Sequence, residues 1–384
     1  MRVLQFYRTS FPDTMGGIEQ VIHQIARGAS KLGVKTDVLS LTAARHAAVT
    51  ELDGYRVQRA RLDLQIASTG LSVSAFRRFA QLAKQVDLIH YHFPWPFMDV
   101  VHFVTGVDKP TLVTYHSDIV RQKQLLKLYR PLKTRFLASM DRIVATSPNY
   151  FSTSDVLRKY AGKVSVIPIG LDKASYPLPD PQSLQAWRAR FGVKFFLFVG
   201  VIRYYKGLHI LLEAARASDY PIVIVGSGPV EQELKEQAMQ LGLRNVHFLG
   251  HVPDEDKVAL LSLCTAVVFP SHLRSEAFGI SLLEGAMFGK PMISSEIGTG
   301  TSYINIAGET GLVVPPNDPQ ALHEAMRQLW EHPEQAAQMG VRAEERYWKY
   351  FTAATMARSY VDLYADLVRG QSGGRRRHLP HETD

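Results

Sequence analysis

Short β-rich runs alternating with helical stretches set the tightest limit on what this chain can fold into. After MRVLQFY come KTDVLSL, YRVQRARL, DLIHYH, TLVTYH, RIVATS and VSVIP, each set off from the next by a helical or loop segment. Alternation of this kind predicts a parallel sheet covered on both faces by helices. The series then restarts with FFLFVG, PIVIVG, NVHFLG, AVVFP, KPMISS and GLVVPP. Between the two rounds lies VSVIPIGLDKASYPLPDP, whose prolines mark a linker. The reading is therefore an α/β chain of two domains with a boundary near Leu171, and 384 residues suffice for two domains of roughly 150–200 each.

Composition removes some function classes and leaves others open. No apolar run approaches the roughly 18 residues that cross a bilayer, and MRVLQFY lacks the architecture of a signal peptide, so the expected location is the cytoplasm. One cysteine, Cys264 in LLSLCTAVVFP, makes no internal disulfide and reads as a buried structural thiol. A net charge of +8 favours an anionic partner, which a nucleotide diphosphate, an anionic lipid or a nucleic acid would each satisfy.

The most informative single stretch is SHLRSEAFGISLLEGAMFGK, where Glu276 and Glu284 stand eight residues apart around a glycine. The apolar part reads as a helix beginning near Gly279, which leaves Glu276 in the preceding loop. Were the whole segment helical, an eight-residue step would still separate the two by only about 80°. A carboxylate inside an apolar helix needs a partner, because desolvating an unpaired charge is costly. Spacing alone leaves open a blander account, one capping carboxylate and one on the surface.

The context PSHLRSEAFGISLLEGAMFGKPMISS resembles the nucleotide-sugar site of retaining glycosyltransferases of family 4, which have two Rossmann-like domains facing across a cleft (the GT-B fold). That resemblance implies that Glu276 faces the donor sugar, that Glu284 holds the ribose hydroxyls, and that Phe278, Gly279 and Ile280 line the donor. The similarity covers Arg2 to about Arg369. It implies an acceptor-binding domain over 1–171, a nucleotide-sugar domain over 172–350, a helix over 351–369 crossing back to the first domain, and a disordered tail over 370–384.

Other segments agree with it in order. GGIEQVIHQIARGASKLGVKTDVLSL, with a helix over Ile18–Leu32, is similar to the family's first unit, where Gly16 and Gly17 lie against the donor diphosphate. A glycine pair at a strand-to-helix turn lets backbone N–H groups approach a phosphate, but such turns also use glycine for shape alone. The same two readings hold for Gly226 and Gly228 in IVIVGSGPV, and the small-residue loop Gly298–Ser302 offers further N–H groups to the donor phosphates. In VGVIRYYKGL, Lys206 matches the family's diphosphate-binding lysine. The family's arginine directly follows the glycine, whereas here Val201 stands there and Arg203 comes two positions later. Cations fixed where a diphosphate departs lower the barrier to its leaving. This segment is most similar to the mannosyl- and rhamnosyltransferases of bacterial O-antigen assembly.

Ligands on parallel sheets bind beyond the carboxyl ends of the strands, and three histidines stand at such ends. His116 in LVTYHSD matches the family histidine near the donor sugar. His90 reads as structural, and His92 and Asp118 are candidates for the acceptor side. From Ile119 to Met140 the chain carries Arg121, Lys123, Lys127, Arg130, Lys133 and Arg135 and no acid, on an amphipathic stretch broken near Pro131. A solvated helix face, an anionic membrane surface and a diphosphate-bearing acceptor all fit it. Asp254 and Asp256 open a helix in PDEDKVALL and are read as first-turn acids, not metal ligands.

The resemblance thus implies a metal-independent hexosyltransferase without a cofactor, retaining configuration by a front-face route. Its expected donor is GDP-mannose or GDP-D-rhamnose and its acceptor a lipid diphosphate-linked oligosaccharide, at the inner face of the cytoplasmic membrane, with no nucleic acid as partner. A UDP-sugar transferase of the same fold and a non-catalytic nucleotide-sugar-binding protein are the rivals. Turnover with a panel of donors separates all three.

Overall fold

The computed structural model of the chain describes residues 1–14, 16–44, 49–66, 69–119 and 123–375. The chain divides into two units, each built on its own sheet. Unit 1 takes in Met1–Thr146, Ser154–Gly170 and the final helix Ala353–Arg375; unit 2 takes in Ser147–Thr153 and Leu171–Thr352.

Unit 1 contains β1 (Arg2–Phe6), β2 (Lys35–Thr42), β3 (Thr50–Leu52), β4 (Tyr55–Arg61), β5 (Leu64–Ile66), β6 (Thr69–Leu71), β7 (Leu88–Phe93), β8 (Thr111–Tyr115), β9 (Arg142–Ala145) and β10 (Val164–Val166). Its main sheet runs β10-β9-β8-β7-β1-β2-β4-β3. Every residue of β7 and β8 is buried, as strands covered on both faces must be. The Gly17–Lys31 helix buries Val21, Ile22, Ile25, Ala26 and Ala29 along one stripe. Against it lies the final helix, which approaches so closely that a Cβ on Gly28 would fall 2.4 Å from that of Ala357.

Unit 2 contains β11 (Phe196–Val199), β12 (Ile222–Val225), β13 (Val246–Gly250), β14 (Ala266–Phe269), β15 (Met292–Ser295) and β16 (Gly311–Val314). All are parallel, in the order β13-β12-β11-β14-β15-β16. Among the parallel strands of each unit the order reverses once, between β1 and β7 and between β11 and β14. Crossovers leave to opposite sides there, and the crevice past the strand ends is where such sheets take ligands.

Four details depart from the sequence reading. β3 pairs antiparallel with β4, because Asp53 and Gly54 both take left-handed backbone angles and make the two-residue turn of a hairpin; β5 and β6 form a second antiparallel pair. The Lys123–Ser139 helix continues through Pro131. Pro131 and Lys127 both face solvent, so the carbonyl deprived of its partner can turn to water and the helix survives the loss. The final helix extends to Arg375 rather than ending at Arg369, and the rest of the expected tail lies outside the described residues. Finally, Ser147–Thr153 belongs to unit 2 although it precedes the linker. The Asn149 amide donates to Ser302 Oγ at 3.2 Å, the Thr153 hydroxyl donates to the Gly298 carbonyl at 2.5 Å, and Arg274 donates to Thr153 Oγ1 at 2.9 Å.

Candidate active site

In unit 2, the loops that follow β11 and β14 meet past the reversal. Gly207 has φ 73°, and a Cβ on it would lie 2.0 Å from the carbonyl oxygen of Pro270. This close approach seats the Tyr204–Lys206 turn on the loop that carries Glu276. The Lys206 ammonium then meets the Glu276 carboxylate, each side chain only 11% exposed, and it also sits 4.4 Å from the centre of the Phe269 ring. Arg203 is exposed, and its side chain has no ion pair or hydrogen bond among the described residues. Lys206 is thus the fixed cation of the pair, and Arg203 is an exposed one directly before the Tyr204–Lys206 turn.

Glu276 lies just ahead of the Ile280–Met287 helix, whose cap residue Gly279 has φ 100°, a conformation that disfavours any side chain. The positive end of that helix starts at Ile280. Phe278 is buried and packs edge-on to Phe351, so it braces the turn from behind. Glu284, one turn into the helix, is 6% exposed and has the partners that its burial demands. It accepts from the Tyr176 hydroxyl at 2.9 Å and faces Lys257 Nζ at 3.3 Å; Lys257 also pairs with Asp254 at 3.0 Å and lies 5.0 Å from the Tyr176 ring centre. Burial pulls the Lys257 pKa down, but Glu284 and Asp254 more than offset it, so the net shift is upward and the lysine stays charged. Lys257 and Tyr176 escaped the sequence reading. Lys257 was visible as the lone cation of the PDEDKVALL helix, whereas no pattern marks Tyr176.

The glycine loops are accounted for first by packing. A Cβ on Gly226 would fall 2.1 Å from the Gly200 carbonyl oxygen, and one on Gly228 2.1 Å from that of Ile202. The N–H of Gly226 is already donated to Gly250, at 2.7 Å. Shape therefore explains both glycines in this state, and the Gly226 N–H is not free for a ligand. In the Gly298–Ser302 loop, likewise, the N–H of Gly298 goes to Glu296 and that of Gly300 to Ala277.

In unit 1, Gly16 caps the Gly17–Lys31 helix and Glu19 occupies its first turn. The Glu19 carboxylate accepts from the hydroxyls of Thr9 at 2.6 Å and Thr14 at 3.2 Å, and would lie 2.3 Å from a Cβ on Gly16. An internal anion thus stands at the helix end where the glycine pair predicts a phosphate. His116, just past β8, is 6% exposed and bonds through Nε2 to Nδ1 of His92 at 3.0 Å. His92 is wholly buried, so it does not line an acceptor surface; β7 carries it inside the sheet layer, between His116 and Gln5. His90 is structural, held by the hydroxyls of Thr114 and Tyr364 at 2.7 Å each. Burial pushes the His116 pKa down to about 3 and that of His92 well below its ordinary value. Asp118 is committed to the Tyr115 hydroxyl at 2.8 Å and to Ser154 Oγ at 3.2 Å.

The basic helix is not uniformly solvated. Arg121 lies outside the described residues, and Lys123 opens the helix. Lys127, Arg130 and Arg135 are exposed, the last over the Phe103 ring at 5.0 Å. Lys133 is half-buried, and its pKa is lowered chiefly by burial, opposed by the nearby Asp118 and Asp99 carboxylates. The acids missing from the segment itself come from neighbouring elements. Tyr129 donates to Asp99, whose carboxyl burial holds well above its usual range. Among the described residues no group of three or more His, Cys, Asp or Glu side chains is placed to hold a metal ion, and no helix is long and apolar enough to cross a membrane.

Comparison with known proteins supplies the class to which this arrangement belongs, that of sugar-transferring enzymes. The family described as "Glycosyltransferase Family 4" matches residues 15–175 and that described as "Glycosyl transferases group 1" matches residues 182–346. The chain is 66% identical over 353 residues to the D-rhamnosyltransferase WbpZ of Pseudomonas aeruginosa, covering 92% of this chain and 93% of that one. It is 51% identical over 372 residues to the O-antigen chain mannosyltransferase C of Escherichia coli, covering 97% and 100%. The chain therefore belongs to the family 4 glycosyltransferases. Its fold is shared with the sucrose-phosphate synthase of Thermosynechococcus elongatus (TM-score 0.81, 22% identity, 96% and 99% covered). It is shared too with Anabaena HepE in complex with UDP-glucose (TM-score 0.75, 20% identity, 95% and 100% covered).

Proposed function

We propose that this glycosyltransferase moves D-rhamnose or mannose from its GDP-sugar onto a lipid-linked oligosaccharide during O-antigen assembly, with retained configuration and without a metal ion. The pairing of Lys206 with Glu276 at the order reversal of unit 2 carries the reading, because it joins a fixed cation to a fixed carboxylate beside a helix start. Lys206, joined by Arg203, takes up the charge of the departing diphosphate, which is where fixed positive charge lowers the barrier most. Glu276 orients the donor sugar through an oxocarbenium-like transition state, Glu284 holds the ribose, and His116 meets the sugar hydroxyls. The names of the two relatives, a D-rhamnosyltransferase and an O-antigen mannosyltransferase, support the sugar and the pathway. The exposed Lys127, Arg130 and Arg135 support attachment to an anionic membrane surface at the cytoplasmic face.

The test is transfer from GDP-D-rhamnose, GDP-mannose, UDP-glucose and UDP-N-acetylglucosamine to a synthetic lipid-diphosphate acceptor in excess EDTA, with the linkage read by NMR. An axial linkage made from a GDP-sugar is expected. Transfer only from UDP-sugars would support the second reading, favoured by the UDP-glucose bound to the related Anabaena fold. An inverted linkage or loss of turnover in EDTA would refute the mechanism.

A further inference from the structure

Gln5, His92 and His116 form one hydrogen-bonded series across the order reversal of unit 1. Gln5 sits on β1 and His92 on its neighbour β7, and His116 follows β8, the next strand out. Gln5 and His92 are fully buried and His116 nearly so. Gln5 Oε1 lies 2.9 Å from His92 Nε2, and His92 Nδ1 lies 3.0 Å from His116 Nε2. The two rings stack, with centres 5.3 Å apart.

With the Gln5 amide oxygen turned toward His92, proton counting fixes the tautomer of each ring. A neutral imidazole has one N–H and one lone pair, and an amide oxygen only accepts. His92 therefore carries its proton on Nε2 and gives it to Gln5. Its Nδ1 is then a lone pair, which requires that His116 donate from Nε2. Nδ1 of His116 is consequently the lone pair, and it has no hydrogen-bond partner among the described residues. Burial keeps both rings neutral, with His116 down at about 3 and His92 well below its ordinary value. The amide nitrogen of Gln5 has no partner among the described residues, so the bond made by its oxygen is the amide's contribution to the network. An amide turned by half a revolution would reverse every proton in the series and make His116 Nδ1 a donor.

We propose that Gln5 and His92 are positioning residues that hold His116 as the Nε2–H tautomer, so that His116 presents Nδ1 to the sugar substrate as a hydrogen-bond acceptor for one hydroxyl. The substrate half of this statement rests on the proposed function; the tautomer half does not. The consequence is a specificity filter. A substrate hydroxyl donates to Nδ1, whereas a fluorine or methoxy group at the same position offers only lone pairs and is repelled.

Nitrogen-15 NMR of the full chain with labelled histidine decides the tautomer, the His116 signals being assigned by their loss in His116→Gln. An unprotonated Nδ1 and a protonated Nε2 at neutral pH are expected; a protonated Nδ1 overturns the proposal. Two variants then test the relay. Gln5→Leu removes the acceptor, so His116 should show both tautomers and kcat should fall about 10-fold, the scale of one lost buried hydrogen bond, with nucleoside diphosphate affinity unchanged. Gln5→Glu keeps an acceptor and should keep the Nε2–H tautomer and most of the activity. Both variants are checked by thermal unfolding. A Gln5→Leu chain that is folded, single-tautomer and fully active overturns the relay. If wild type transfers no sugar from any donor, the proposed function fails, while the NMR measurement still decides the tautomer.

Discussion

Replacing Lys206 by Met separates what the Lys206–Glu276 pair does for folding from the catalytic role proposed for it. Met keeps the apolar contact over the Phe269 ring but strands the Glu276 carboxylate, whose side chain is 11% exposed. Removing one partner of a buried pair costs about 3–5 kcal/mol. The residual exposure of both groups places this case at the lower end, about 3 kcal/mol. For a unit of this size each kcal/mol moves the midpoint by about 2–4 °C, so the transition of unit 2 should fall by about 6–12 °C. Adding Glu276→Gln removes the stranded charge and should recover at least half of that loss. Differential scanning calorimetry on wild type, both single variants and the double variant completes the cycle. Turnover should fall about 10²–10³-fold in Lys206→Met, the scale for losing one fixed stabiliser of developing charge, and should stay lost in the restabilised double variant. A double variant no more stable than Lys206→Met, or one that regains activity, would refute this account of the pair.

Glu284→Gln should weaken nucleoside diphosphate binding about 10- to 100-fold, the loss of about 1.5–3 kcal/mol for a hydrogen bond to a charged group. Titration calorimetry reads it, and an unchanged Kd would remove Glu284 from the site. Asp99→Asn tests the buried carboxyl under the basic helix. Burial raises the folded pKa of Asp99 above its ordinary 3.8, so the native state holds the proton longer than the unfolded chain. Stability is then full below pH about 4 and declines as pH climbs toward the folded value, by about 1.4 kcal/mol per unit inside that window. Relative to Asp99→Asn, wild type should lose stability from pH 4 to 7 in urea titrations; parallel curves would contradict it. Cys264, buried and pushed up to about 11, should resist thiol reagents in the native chain and react only on unfolding, which stoichiometric labelling of folded protein would disprove.

Much of the architecture was legible because its signals are local. β-rich runs, glycine turns and first-turn acids each act within a few residues, and they gave both sheets and the loop placement of Glu276. The burial of Glu284 forecast a partner, but not that Lys257 and Tyr176 would supply it, since Tyr176 is 108 residues away in sequence. His92 looked like a surface candidate because strand-end position is readable, whereas depth behind His116 depends on Gln5, 87 residues earlier. The hairpin at Asp53–Gly54 was written in the sequence as a turn dipeptide and was outweighed by the parallel pattern around it. The sequence reading put Ser147–Thr153 in the first domain, since its attachment to unit 2 runs through the distant Ser302, Gly298 and Arg274.

The return of the last helix to unit 1 governs how the molecule is made. Tyr360 and Tyr364 on that helix complete the buried hydrogen bonds of Thr114 and His90, so the amino-terminal sheet lacks part of its interior until the chain as far as Tyr364 has left the ribosome. Unit 2 closes its own sheet by Val314, sooner than the half translated first. Biogenesis should therefore run in reverse of chain order, and nascent chains arrested before Ala353 should be protease-sensitive at their amino-terminal end.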